Sequence, residues 1–272
     1  MHDSVPAQSK PANRTYLPEN WPNLSLAVVA HLALVALWWA ATAFGGIPAF
    51  ILPSPWQTVQ TLFDPGYQWG YNSFITATEI FVGYGLAIVM GVLTAMVFTW
   101  FRPVRATLLP LFITISIIPK VALGPLLIVW FGYGVSTNIF FAFLISFFPI
   151  LITTARGLQE VEPDLLDLVR ALKGTRWQIF TKIQLPGALP YIFSAMKVGA
   201  ILAVAGAIVG EFVASSEGLG YLMIQVQSTL DTAAMFMAVL LLSLLGVLLF
   251  GMVILLERLL VVKDARLDQA PT

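Results

Sequence analysis

Apolar residues in this chain fall in long unbroken blocks, separated by short polar or turn-rich stretches. Six blocks are long enough to cross about 30 Å of hydrocarbon as helices: 24–44, 74–101, 108–131, 138–154, about 189–213 and 233–256. None has the alternating ten-residue pattern of barrel strands, and an open sheet cannot satisfy its backbone in lipid, so every block is predicted to be helical. The expected fold class is all-α, a polytopic membrane protein with six transmembrane helices. The division that follows is a cytoplasmic disordered tail over 1–23, a membrane domain over 24–256 with an inner loop at 155–187, and a second tail over 257–272. The first 21 residues are polar and carry Pro6, Pro11 and Pro18. They lack the basic start and apolar run of a signal peptide, so insertion is expected to start from the first helix.

Composition sharpens this reading. Of 272 residues, 58% are hydrophobic and only 10% charged, against about 25% charged in soluble domains. A soluble core of this size cannot absorb that much apolar surface. Ordinary soluble enzymes, nucleic-acid-binding domains and disordered chains are therefore excluded. The absence of cysteine removes disulfides, zinc–thiolate sites, iron–sulfur clusters and thiol catalysis. His2 and His31 are too few for a histidine metal site, and His31 reads as a tolerated residue of the first helix.

Net charge is zero, with 14 basic and 14 acidic residues, so the distribution matters more than the total. Lys10 and Arg14 precede the first helix. Arg102 and Arg105 lie between the second and third, and Arg156, Arg170, Lys173, Arg176 and Lys182 between the fourth and fifth. Arg258, Lys263 and Arg266 follow the sixth. The alternate loops, 45–73, 132–137 and 214–232, contain no lysine or arginine. The positive-inside rule then places both termini in the cytoplasm. In the first outer loop, Pro53 and Pro55 interrupt any helix, and Trp56 and Trp69 suit a segment lying on the outer interface.

The inner loop is the one sizeable polar stretch inside the chain. It carries Glu160, Glu162, Asp164 and Asp167 beside its five basic residues. Composition alone leaves it open as a docking element or as a solvated hairpin. The stretch 162–177 is predicted to form two short helices broken near Gly174. Pro163 suits a first helical turn, Asp164 and Asp167 favour the N-terminal end, and Arg170 and Lys173 the C-terminal end.

The wording of the loop separates those alternatives. From Asp167 it reads Asp-Leu-Val-Arg-Ala-Leu-Lys-Gly-Thr-Arg-Trp-Gln-Ile-Phe-Thr-Lys-Ile-Gln-Leu-Pro. It resembles the cytoplasmic signature of membrane subunits of bacterial ABC importers, the binding-protein-dependent transport permeases: Glu-Ala-Ala, three residues, Gly, nine residues, Ile-x-Leu-Pro. Aligned on Ile183-Gln184-Leu185-Pro186, Asp167 takes the Glu position, Leu168 and Val169 the alanines, and Lys173 the Gly, with Gly174 one residue late. Arg176-Trp177-Gln178, Ile118 to Leu126, Trp130-Phe131-Gly132 and Glu211 to Tyr221 are similar to the branch that serves nitrate, sulfonate, taurine, bicarbonate and thiamine-precursor uptake. The matches run from about Thr76 to Leu260.

The resemblance implies a type I importer permease fold in a bacterial inner membrane. It implies two ATP-binding subunits, a second permease copy as a homodimer, and a periplasmic or lipid-anchored substrate-binding protein. It implies a coupling element built from Asp164, Asp167, Arg170, Ala171, Lys173, Gly174, Arg176 and Trp177. The chain has no G-x-x-x-x-G-K-[ST] run, so ATP and Mg are expected on the partner subunit and no catalysis on this one. No nucleic acid is implied, and lipid is the surrounding partner.

Charge inside the membrane marks function by default. Glu79, Lys120 and Glu211 are the candidate translocation-path residues. Lys197 lies near enough to the inner surface to snorkel. Lys120 is deeper, beside Pro119 and Pro125, which free carbonyls to receive its protons. Glu79 and Glu211, near the outer side, are expected either to be hydrated or to pair with backbone donors. Gly83, Gly85, Gly91, Gly206 and Gly210 permit close helix contact. The aromatic run Phe140, Phe141, Phe143, Phe147 and Phe148 reads as a packing or lipid-facing surface. One lysine against two acids disfavours an anionic cargo, because an uncompensated carboxylate near an anion is costly in low dielectric. A neutral or cationic heterocycle such as a pyrimidine-type thiamine precursor is expected, with nitrate, sulfonate, taurine or bicarbonate as the alternative. A proton-coupled secondary transporter using Glu79 and Glu211 is the rival from another class, and a membrane scaffold a second.

Overall fold

The computed structural model describes residues 20–161 and 163–261, apart from the side chains of 20–24, 163, 164 and 170. The elements are helices joined by short turns. They are α1 Asn20–Phe44, α2 Pro55–Gln60, α3 Trp69–Trp100, α4 Arg102–Ile117, α5 Gly124–Phe131, α6 Val135–Gly157, α7 Pro163–Ala171, α8 Arg176–Ile179, α9 Leu185–Ala214, α10 Leu219–Ser228 and α11 Thr232–Leu260. Among the described residues, five helices are long and apolar enough to cross a membrane, or six if the bent pair α4–α5 counts as one.

That pair corrects the third predicted span. A straight helix over 108–131 does not form. Pro119 pushes Ile118 out of the helical region, to φ −59° and ψ 130°, as the ring of a proline does to the residue before it. The chain turns by 88° there. The 16 residues of α4 rise only about 24 Å, and the eight of α5 about 12 Å. Pro125 does not break anything: it opens α5, where a missing N–H costs nothing.

The core is a three-helix bundle of α3, α6 and α9. Its centre holds Ile80, Tyr84, Ala142, Ile150, Leu151, Ala203 and Ala207, all buried. Small residues set the spacing. A Cβ added at Gly83 would lie 2.6 Å from the Ile139 carbonyl, and one at Gly206 or Gly210 would lie 2.8 Å from the α6 backbone at Ala142 or Asn138. Gly85, by contrast, faces open space and plays no part in that contact. Of the aromatic run, Phe141, Phe147 and Phe148 are buried, so it packs inward rather than only toward lipid.

A second apolar cluster joins α10 and α11 to Trp69 at the start of α3. The short helix α10 lies in what the hydropathy pattern left as an outer loop. The described part of α1 is exposed; Trp38 attaches it, donating to the Pro53 carbonyl at 2.9 Å and lying 5.6 Å from the Phe236 ring.

Candidate functional site

Three sites carry the polar chemistry of this otherwise apolar chain. The first joins the start of α3 and the end of α9 to α10. A helix begins with four backbone N–H groups that lack intrahelical partners, and in α10 side chains from other helices satisfy all four. Asn72 Oδ1 accepts from Gly218 N–H at 2.9 Å, and Thr76 Oγ1 accepts from Leu219 N–H at 2.9 Å. Glu211 Oε2 accepts from Gly220 N–H and, at 3.4 Å, from Tyr221 N–H. Thr76 also donates to Glu211 Oε1 at 2.5 Å, so α3 and α9 share the cap.

Fit around the carboxyl is tight. A Cβ at Gly218 would lie 2.5 Å from the Glu211 carboxyl group, and one at Gly220 would lie 2.8 Å from Oε2. Gly218 also holds φ +102°, which glycine adopts freely and other residues avoid.

Glu79 lies one helical turn beyond Thr76 and belongs to the same buried cluster. Its Oε1 accepts from Asn138 Nδ2 at 2.7 Å, while Glu79 Oε2 and Asn138 Oδ1 have no hydrogen-bond partner. Glu79 and Glu211 are 0% and 1% exposed. The structure therefore brings these two sequence candidates together and encloses both within the chain. Glu211 takes the backbone-pairing alternative of the sequence reading rather than the hydrated one. Thr76, Asn72 and Asn138 were not singled out by sequence. The signal available was their place on the α3 and α6 faces opposite Glu211, which needs the register of three helices to see.

The second site is the corner between α4 and α5. Lys120 is half-buried there, remote from the two glutamates along the chain, and donates to the Ser116 carbonyl freed by the break. Its Nζ lies 5.4 Å from the centroid of the Phe148 ring, a cation–π distance. Lys197, read as a snorkelling residue, is instead ion-paired to Glu257 of α11 at 2.9 Å, with both side chains nearly buried. The sequence reading passed over Glu257 because it falls at the end of an apolar block.

The third site is the polar segment between α6 and α9. It folds as the predicted two short helices, α7 and α8, parted at Gly174. Glu162 and the side chains of Asp164 and Arg170 lie outside the described residues. Asp167, Ala171, Lys173, Arg176 and Trp177 are exposed. The turn between the helices places Lys173 at φ +58°, and Gly174 N–H bonds back to the Val169 carbonyl at 2.9 Å. That is the six-to-one bond of a Schellman end, whose left-handed position glycine favours. Lys173, which the alignment sets opposite the glycine of the signature, takes this left-handed position. Gly174 cannot trade roles with it, since a Cβ there would lie 2.4 Å from Val169 Cγ1.

Beyond that turn, Thr175 and Gln178 form a reciprocal capping box at the start of α8. One wide π turn, Phe180–Gln184, then joins α8 to α9, so Arg176–Ala214 runs as one apolar, membrane-length helix. The Ile-x-Leu-Pro stretch sits at this join, where Pro186 offers no N–H to an ordinary helical turn.

A model of the family described as binding-protein-dependent transport system inner membrane component matches residues 87–262, and the chain belongs to that family. It is 34% identical over 269 residues to the riboflavin transport system permease protein RibX of Chloroflexus aurantiacus, covering 96% of this chain and 98% of that one. It is 32% identical over 230 residues to the formylaminopyrimidine transport permease protein ThiX of Halalkalibacterium halodurans, covering 84% and 92%. A solved structure of the MetNI methionine ABC transporter in inward-facing form superposes with a TM-score of 0.58 at 22% identity, covering 77% of this chain and 99% of that one. The fold is that of a type I importer permease. The protein is a membrane subunit of an ABC importer, working with ATP-binding subunits and a substrate-binding protein on separate chains.

Proposed function

We propose that two copies of this chain form the translocation path of the importer, with both termini cytoplasmic, and that α7 and α8 seat in the ATP-binding subunits. One observation carries the seating. Leu165, Leu168 and Leu172 are 40, 57 and 74% exposed, and their spacing sets them along one side of the segment. An apolar stripe of this kind on a polar, cytoplasmic element is a surface awaiting a partner. Because α8 continues into α9, rotation of the seated end moves the whole helix, including Glu211 at its far end. The seating is tested by co-purification: Leu168→Asp and Asp167→Arg should each reduce the ATP-binding subunit retained on the permease. Full retention in both variants would refute it.

In this reading Lys120 is the path residue, since it is half-buried at an interrupted helix, while Glu211 clamps α10 and Glu79 pairs with Asn138 of α6. The favoured cargo is a neutral or cationic nitrogen heterocycle. The relatives named for riboflavin and for formylaminopyrimidine support it. The charge count no longer does, because two enclosed glutamates leave Lys120 as the remaining intramembrane path charge. Lys120 alone favours the second reading, uptake of a small anion such as taurine or a sulfonate. Transport into vesicles holding the complete importer separates the two: saturable ATP-dependent uptake of a flavin or pyrimidine supports the first, and uptake of taurine or an alkanesulfonate alone would replace it with the second.

A further inference from the structure

We propose that a cleft between the cytoplasmic segment and the α3–α4 corner binds the phosphate headgroup of an anionic lipid. The cleft encloses about 520 Å³. Thr99, Trp100 and Arg102 form one wall, and Gly174, Arg176 and Gln184 the other. Among the described residues no carboxylate lines it, and neither the Arg102 nor the Arg176 guanidinium has an ion pair or hydrogen bond to any of them. Two unpaired guanidiniums facing one polar space form a receptor for a tetrahedral anion, because each can offer paired N–H donors to phosphate oxygens.

The position of the cleft selects the source of that phosphate. Arg102 directly follows the end of α3, a membrane-length helix, on the side of the chain rich in lysine and arginine. The Trp100 ring lies 5.9 Å from that of Trp177 and 5.5 Å from that of Phe180. Such a cluster belongs at headgroup level, where ring faces meet the glycerol and upper acyl region. Anionic headgroups are concentrated at the cytoplasmic surface, and a soluble phosphate would gain nothing from the aromatic wall.

Occupancy would have a mechanical consequence. Arg102 stands on the α3–α4 corner, and Arg176 is the first residue of the helix that runs through α8 into α9. One headgroup held by both would tie that helix to the corner at its inner end. The site rests on the proposed orientation, in which this end of α3 meets the inner leaflet, and on nothing about the cargo.

The test uses the complete transporter, purified in detergent and mixed with phosphatidylglycerol and phosphatidylcholine, with bound lipid counted by native mass spectrometry. The wild type should retain phosphatidylglycerol in preference to phosphatidylcholine. Each basic residue at an anionic surface contributes on the order of fivefold in affinity, so Arg102→Gln with Arg176→Gln should weaken retention by about 25-fold. Lys182→Gln, on the same segment but outside the cleft, should not change it. If the double variant sheds its ATP-binding subunits, Arg102→Gln alone, outside the coupling segment, should still show the fivefold loss. Unchanged retention in Arg102→Gln and in the double variant would overturn the proposal. Displacement of the lipid by millimolar inorganic phosphate would also overturn it, by assigning the cleft to a soluble phosphate.

Discussion

The carboxyl group of Glu211 lies so close to Gly218 that a methyl group there would sit 2.5 Å from it. One acidic side chain near the end of α9 thereby dictates two glycines in the following turn and holds the first amides of α10. Gly218→Ala should be harmful on both counts, strain at a positive φ and displacement of the carboxyl group, at a cost of roughly 1–3 kcal/mol. Thermal unfolding followed by intrinsic tryptophan fluorescence should show a lowered midpoint for Gly218→Ala and little change for Gly251→Ala, a helical glycine with open space around it.

Thr76 gives a cleaner measure of the same clamp. Thr76→Val keeps the shape but removes the group that both donates to Glu211 and accepts from Leu219 N–H. Each buried partner left unsatisfied costs about 1–3 kcal/mol. Hydrogen exchange in the first turn of α10 should speed up markedly in this variant while exchange in the centre of α6 stays slow. Equal protection of α10 in both proteins would show that the cap contributes little.

Lys173 offers a stabilising change. Lys173→Gly places the residue that adopts φ +58° freely where that angle already exists; relief of a left-handed strain of roughly 1–2 kcal/mol outweighs the roughly 0.5–1 kcal/mol of extra chain entropy that glycine loses on folding. Gly174→Ala meets Val169 at 2.4 Å and should loosen the same turn. Exchange over 168–175 should slow in the first variant and quicken in the second.

The pair Lys197–Glu257 links α9 to α11 at 2.9 Å. Removing one member strands the other in an apolar setting, at a cost of about 3–5 kcal/mol, whereas replacing both with apolar residues is often neutral. Lys197→Met should therefore lower the yield of folded protein sharply, and Lys197→Met with Glu257→Leu should recover most of it. Monodispersity in size-exclusion chromatography reports both outcomes.

Orientation is checked with single cysteines in this cysteine-free chain. Cysteine at Ser228, after α10, should react with an impermeant thiol reagent in intact cells, and cysteine at Glu160, outside the leucine stripe proposed to seat in the ATP-binding subunit, should react only after lysis. Both positions are exposed, so protection reports sidedness rather than burial. The reverse pattern would invert the topology.

Local chemistry made much of this molecule legible in one dimension. Blocks of apolar residues longer than the hydrocarbon thickness had to become helices, because lipid offers the backbone no other partner. Absent lysine and arginine in alternate loops set the expected sidedness, and the glycine of the inner loop placed the break between its two short helices near Gly174. Such features depend on neighbours in sequence. The 88° corner at Pro119, the inward burial of Glu79 and Glu211, the capping of α10 by Asn72, Thr76 and Glu211, and the pairing of Lys197 with Glu257 depend on something else. Each joins residues from different helices, or turns on which direction a broken helix takes after its break. Helix register and rotation are decided by side-chain packing, here by Gly83, Gly206 and Gly210 letting α3, α6 and α9 meet closely. A buried polar atom then takes whichever donor that packing brings within 3 Å, and only the tertiary structure names it.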